Sequence, residues 1–277
     1  MLIESNRWIR NGIAIAIESV KLLFRNPILF VYALVPMLTV AFGFFFMNID
    51  VLIRRNFVPA EANNYPSAEL ATYGIWLIIA ILLGTFFACC LARHAMHILR
   101  QQPASLRESC MWVLHHYKQI VAWILVEVLF SWSWLALFPK ATSMILMVGA
   151  IVASLFFLGL LSSILLLLHI QIVVPIISTE RVEIIPAIKR SSQVIWNNFG
   201  TYIVTWISSS VIAALLYILP AVIIVLLIGS QPGAAWHSQF FLLLGLPMIT
   251  IANTLFYYEF YVKRELELQE ILFTSQI

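Results

Sequence analysis

A chain of 277 residues that is 62% hydrophobic and only 10% charged, with a mean hydropathy of +0.96, cannot clothe a globule in water-compatible surface. Soluble domains run about 45–50% apolar and about 25% charged, so the solvent expected here is largely hydrocarbon. The net charge of +3 says little in a chain this poor in charge, but with no basic run and no base-stacking signature no nucleic-acid partner is expected.

Residues 1–27 mix acids with bases and lack a short apolar core followed by small residues, so they read as a cytosolic amphipathic helix rather than a cleavable signal peptide. Within them, Arg7, Asn11, Glu18, Lys21 and Arg25 share one helical face, and Ile9, Ile13, Val20 and Phe24 another. Residues 28–92 hold two spans of roughly 20 apolar residues each, the length a bilayer needs. The first runs from Ile28 to Met47 and the second from Thr72 to Ala92, with an outer loop over 48–71. Residues 104–177 open with a second amphipathic segment, 104–119, followed by spans from Gln119 to Phe138 and from Met144 to Ile177. Residues 185–262 repeat the plan, with an amphipathic segment over 185–199 and spans from Thr201 to Ile228 and from Phe240 to Val262. A tail, 263–277, follows. Continuous apolar runs choose helices over strands, and lipid demands that their backbone be satisfied internally. The expected fold is a single all-α membrane domain, a polytopic bundle of six spans with three interfacial helices before the odd-numbered ones.

Counting cations by segment orients the bundle. Four precede the first span (Arg7, Arg10, Lys21, Arg25), and four lie between the second and third (Arg93, Arg100, Arg107, Lys118). Three lie between the fourth and fifth (Arg181, Lys189, Arg190), two follow the sixth (Lys263, Arg264), and only Arg54, Arg55 and Lys140 fall on the other side. Thirteen against three puts both termini in the cytoplasm by the positive-inside rule.

The amphipathic segments also match in register. With Ser19, Ser109 and Ser191 set equal, Phe24, Leu114 and Trp196 follow five residues on, and Arg25, His115 and Asn197 six on. Asn26, His116 and Asn198 follow at seven, and Pro27, Tyr117 and Phe199 at eight. This reads as a tandem threefold repeat of interfacial helix, span, outer turn and span.

An ionisable group at membrane depth is a candidate functional residue, since inserting a charge there costs about 2.5–3.5 kcal/mol for Asp, Lys or Arg. Glu127 in the third span is such a group. The repeat register sets Glu127 level with Met37 and Ser209, and Ser208, Thr39 and Asn253 are expected near the same depth. These five polar residues form the candidate intramembrane site, either for a solute or as an interhelical hydrogen-bond set. Arg107, Lys118, Lys189 and Arg190 are the candidate contacts to anionic lipid headgroups.

Other features carry less. Cys89, Cys90 and Cys110 have no disulfide or metal spacing and read as packing residues. His94 and His97 share a helix face near His115 and His116 without completing a ligand set. His169 and Gln171 sit near the inner end of the fourth span, and Pro36, Pro175, Pro220 and Pro247 are candidate kinks. The tryptophans suit an aromatic belt. Glu180 and Glu183 read as a solvated helix start. No hydrolase, zinc-protease, P-loop or dinucleotide motif occurs, so neither catalysis nor a cofactor is expected.

The stretch from Ile172 to Gly200 carries Val174, Pro175, Glu180, Ala187, Lys189, Arg190, Ser191, Trp196, Asn198 and Gly200 in a recurring arrangement. It resembles a pattern in six-span prokaryotic membrane families, and is similar to the membrane region that precedes glycerophosphodiester phosphodiesterase domains. The resemblance implies six helices in a prokaryotic inner membrane and no activity, because the catalytic domain is expected to be lacking. The expected role is binding or transport of a small or lipidic solute. The alternatives are a scaffold that docks anionic lipid or partner proteins, and an intramembrane enzyme.

Overall fold

The computed structural model describes residues 2–36, 38–39, 66–126, 172–228 and 247–274. The outer parts of the expected spans, the outer turns around Pro139 and Gly233, Glu127, His169 and Gln171 lie outside the described residues. Among the described residues there is no strand, and the chain is all-α.

Three amphipathic helices stand where the sequence places them: α1 (Leu2–Arg25), α4 (Leu106–His115) and α7 (Ile184–Asn197). Each breaks and restarts within three residues as an apolar helix: α2 (28–36), α5 (Tyr117–Val126) and α8 (Phe199–Ile228). The breaks fall at Asn26, His116 and Asn198, and all three are made alike. Asn26 and Asn198 donate side-chain amide hydrogens to the carbonyls of Leu22 and Val194, each at 3.0 Å. His116 donates from Nδ1 to the Trp112 carbonyl at 2.8 Å. A side chain that satisfies the carbonyl four residues back competes with the helix ladder and lets the axis turn.

The amphipathic helices have three faces, where the sequence suggests two. On α1 the buried face is Gly12, Ile15, Ala16, Ser19 and Leu23, while Ile9, Ile13, Ile17 and Phe24 are apolar yet exposed. Ser19, Ser109 and Ser191 are all buried at the centre of their contact faces. The first two satisfy their hydroxyls on the carbonyls of Ile15 (2.7 Å) and Ser105 (3.0 Å). Small residues here allow close packing. A methyl added to Gly12 would come within 2.7 Å of Val204 Cβ on α8, which fixes α1 against α8.

Parts of the other apolar helices make the core. These are α3 (Pro66–Leu99), α6 (172–179) and α9 (247–257). Cys89, Cys90, Ala92, Ile172, Ile176, Met248, Ile251 and Phe256 are buried among them, with Trp123 of α5 and Tyr202 of α8. α3 starts earlier and ends later than its expected span. Pro66 opens its first turn, where a missing N–H costs nothing, so the outer loop expected over 48–71 gives way to helix from residue 66. Its other end runs on to Leu99 and carries Arg93, His94 and His97 past the apolar stretch.

Among the described residues, two helices are long and apolar enough to cross a membrane, at Leu82–Leu99 of α3 and Phe199–Leu216 of α8. Outward apolar stripes mark α2 (Ile28, Val31, Leu34), α5 (Val121, Leu125) and α8 (Ile207, Val211, Leu215). Leaving such side chains in water forgoes about 1.5–3 kcal/mol each, and contiguous patches of this kind mark a membrane or partner interface.

Candidate functional site

The polar chemistry of the described residues gathers where α3 and α6 end. α3 stops in a turn that a non-glycine residue closes: Gln101 has φ 56°, and the Gln102 N–H reaches back to the His97 carbonyl at 2.9 Å. This is the C-terminal closure usually given to glycine. It swings Arg100 and Gln102 to the rim of a cavity of about 260 Å³. The α3 side of that cavity is Arg93, Met96, His97 and Arg100. Trp112 of α4 faces them, and Thr179 and Arg181 close it from the end of α6.

Arg93 is held rather than free to swing. Its guanidinium lies 4.1 Å above the Trp112 ring, and that ring stacks on His116 at 3.8 Å. A cation over an indole face is attracted by the ring quadrupole. Arg93 Nη1 also donates to the Ser178 carbonyl at 3.4 Å. Its Nε and the Nδ1 of His97 are buried without a partner among the described residues. Thr179 spends its hydroxyl hydrogen on the Pro175 carbonyl, 2.6 Å away. Among the described residues, no carboxylate lines the cavity. Glu108, exposed in the first turn of α4, is near enough to act on Arg93 and His97 but stands outside the lining. The lining therefore presents three guanidinium groups with no acid among them, an arrangement suited to an anion.

Beside the cavity, a latch ties α6, α7 and α9. Glu180 pairs with Arg190 of α7 and accepts the hydroxyl hydrogen of Tyr257. Glu180 is mostly buried, not the solvated helix start expected from sequence; its partner Tyr257 comes from 77 residues away. After Tyr257 the helix widens into a π-turn at Tyr258–Val262, closed by the Lys263 N–H on the Tyr258 carbonyl, before α10 (Lys263–Thr274). Tyr257 and Tyr261 stack in near-parallel planes at 5.2 Å, and Tyr261 receives Arg190 over its ring at 4.9 Å. A third tie joins Tyr32 of α2 to His94 Nδ1 at 2.9 Å, with both residues buried.

Of the candidate intramembrane set, Ser209 is buried on α8, and its hydroxyl has no partner among the described residues. Asn253 is buried on α9, Ser208 is half-buried, and Thr39 donates to the Val35 carbonyl at 3.0 Å. Of the candidate headgroup contacts, Arg107, Lys118 and Lys189 are exposed, while Arg190 is half-buried in the latch. Trp123 is fully buried rather than placed at an interface. Among the described residues no three His, Cys, Asp or Glu side chains gather to hold a metal ion. The cavity residues Arg93 and Arg181 are missed as a pair by sequence reasoning. Their signal was present only as two cations on the same side of the charge count.

No protein-family pattern, no curated protein and no solved structure matches the chain. The resemblance over residues 172–200 rests on those residues alone.

Proposed function

We propose that this chain is a six-span inner-membrane protein with both termini in the cytoplasm, which binds or moves a small or lipidic solute. The observation that carries the reading is the cation-lined cavity between α3, α4 and the end of α6, beside helices whose outer faces are apolar. A binding site needs concavity and a few convergent polar groups, and this cavity has both.

The reading takes α1–α2, α4–α5 and α7–α8 as three copies of one unit. The support is the shared break, each with a side chain bonded four residues back, and the shared buried serine. In the same register Glu127 stands level with Ser209, whose buried hydroxyl lacks a partner among the described residues. A carboxyl group at that sequence register is its proposed mate.

A scaffold role is the second reading. Arg107 and Lys189 are exposed beside the outward-facing Met111, Leu114, Ile185 and Ile188, a surface suited to headgroups and acyl chains together.

Native mass spectrometry of the full chain, released from detergent, separates the two. The solute reading expects a retained adduct that Arg181→Gln or Glu127→Gln removes and that Arg107→Glu with Lys189→Glu leaves in place. An adduct removed only by the Arg107 and Lys189 reversals would overturn it in favour of the scaffold.

A further inference from the structure

The geometry points to a phosphate-bearing anion as the ligand of the cavity formed by Arg93, Arg100 and Arg181. This rests on the inner-face binding reading above and adds the ligand's chemical class.

Three features select phosphate over a simple carboxylate. First, three guanidinium groups from separate points of the chain line one cavity: Arg93 within α3, Arg100 at its terminal turn, and Arg181 after α6. A carboxylate offers two oxygens in one plane. A phosphate offers oxygens in a tetrahedron and can engage several forks at once. Second, the donors are in place before the ligand arrives. Arg93 is fixed between the Trp112 ring and the Ser178 carbonyl, yet its Nε remains unpartnered among the described residues, as does His97 Nδ1. An anion's oxygens would satisfy the buried Arg93 Nε–H, and His97 Nδ1 in the tautomer that carries its proton there. Third, the size fits. At about 260 Å³ the cavity lies below the range of about 300–1,000 Å³ typical of drug-sized ligands, which suits a headgroup or a small phosphate ester.

The ligand could come from two sources, a free phosphate or a phospholipid headgroup reached from the bilayer beside α4 and α5. The strained turn at Gln101 serves both, since it sets Arg100 and Gln102 at the mouth.

The test uses the full chain in two settings. In detergent it is titrated with inorganic phosphate and with glycerol 3-phosphate, read by calorimetry. In nanodiscs it is melted in phosphatidylcholine alone and with phosphatidylglycerol added. Binding in the first setting assigns a free phosphate; a rise in melting temperature with phosphatidylglycerol alone assigns a headgroup. In either case Arg93→Gln and Arg181→Gln should each weaken the effect by about tenfold or more. Arg10→Gln, an exposed change on α1 away from the cavity lining, should leave it unchanged. Arg181 is exposed, so its variant keeps the fold readable if Arg93→Gln perturbs packing. No effect of any phosphate in either setting overturns the inference, as does an effect that Arg181→Gln leaves intact. A solute adduct that survives these failures would keep the binding function and remove only its phosphate assignment.

Discussion

Gly12 of α1 lies so close to Val204 of α8 that a methyl group on the glycine would come within 2.7 Å of the valine's Cβ and Cγ1, and within 2.9 Å of the next backbone nitrogen. The amphipathic helix of the first segment is thereby docked on the apolar helix of the third. A second glycine contact lies nearby, where a Cβ on Gly200 would meet the Trp8 ring at 2.5 Å.

These two contacts predict different costs. At Gly12 the obstacle includes a helix backbone, which cannot step aside, so Gly12→Ala should destabilise by about 1–3 kcal/mol. At Gly200 the obstacle is one half-exposed indole that can rotate away, so Gly200→Ala should cost less. Thermal melts in detergent rank the two; a larger loss for Gly200→Ala would contradict the packing.

The Glu180 latch predicts a coupling. Arg190 and Glu180 keep 30% and 19% of their side-chain surface exposed, so their pairing is neither fully solvated nor sealed. Glu180→Ala leaves a guanidinium and a phenol without their acceptor, and should cost about 1–3 kcal/mol. Tyr257→Phe should cost less. In a double-mutant cycle the two changes should couple by about 0.5–3 kcal/mol; strict additivity would show that Tyr257 and Glu180 do not meet.

How much of this the sequence shows varies by residue, for physical reasons. The three amphipathic helices are legible because charge and apolar spacing repeat along them, and the break at Asn26 is announced by Pro27. The breaks at His116 and Asn198 carry no proline, and depend on a side chain turning onto its own helix. They become legible only through the register that aligns both with Asn26. Glu180 is illegible because its chemistry is set by Tyr257, distant in the chain. The third face of α1 is also hidden: composition separates basic from apolar, but does not say that Gly12, Ala16 and Ser19 face inward while Ile9, Ile13 and Phe24 face outward. The cavity needs α3 and α6 to end together, which no single segment encodes.

Gln101 gives a prediction about strain. A non-glycine residue at φ 56° costs about 1–2 kcal/mol. Gln101→Gly should relieve it, raising stability by at most about 1 kcal/mol once glycine's own entropy is offset. Gln101→Val, branched at Cβ, should lower stability by about 1–2 kcal/mol. Chemical unfolding of both variants decides; a glycine as damaging as the valine would mean the turn is held by the glutamine side chain instead.

The most direct measurement of the account is a topology map with reporters active on one side of the membrane only. Fusions at Gln102, Val182 and Lys263 should all report the cytoplasm, and fusions at Asn63, Pro139 and Gly233 the opposite side. If Gln102 and Val182 report opposite faces, Arg93 and Arg181 cannot line one cavity, and the account fails.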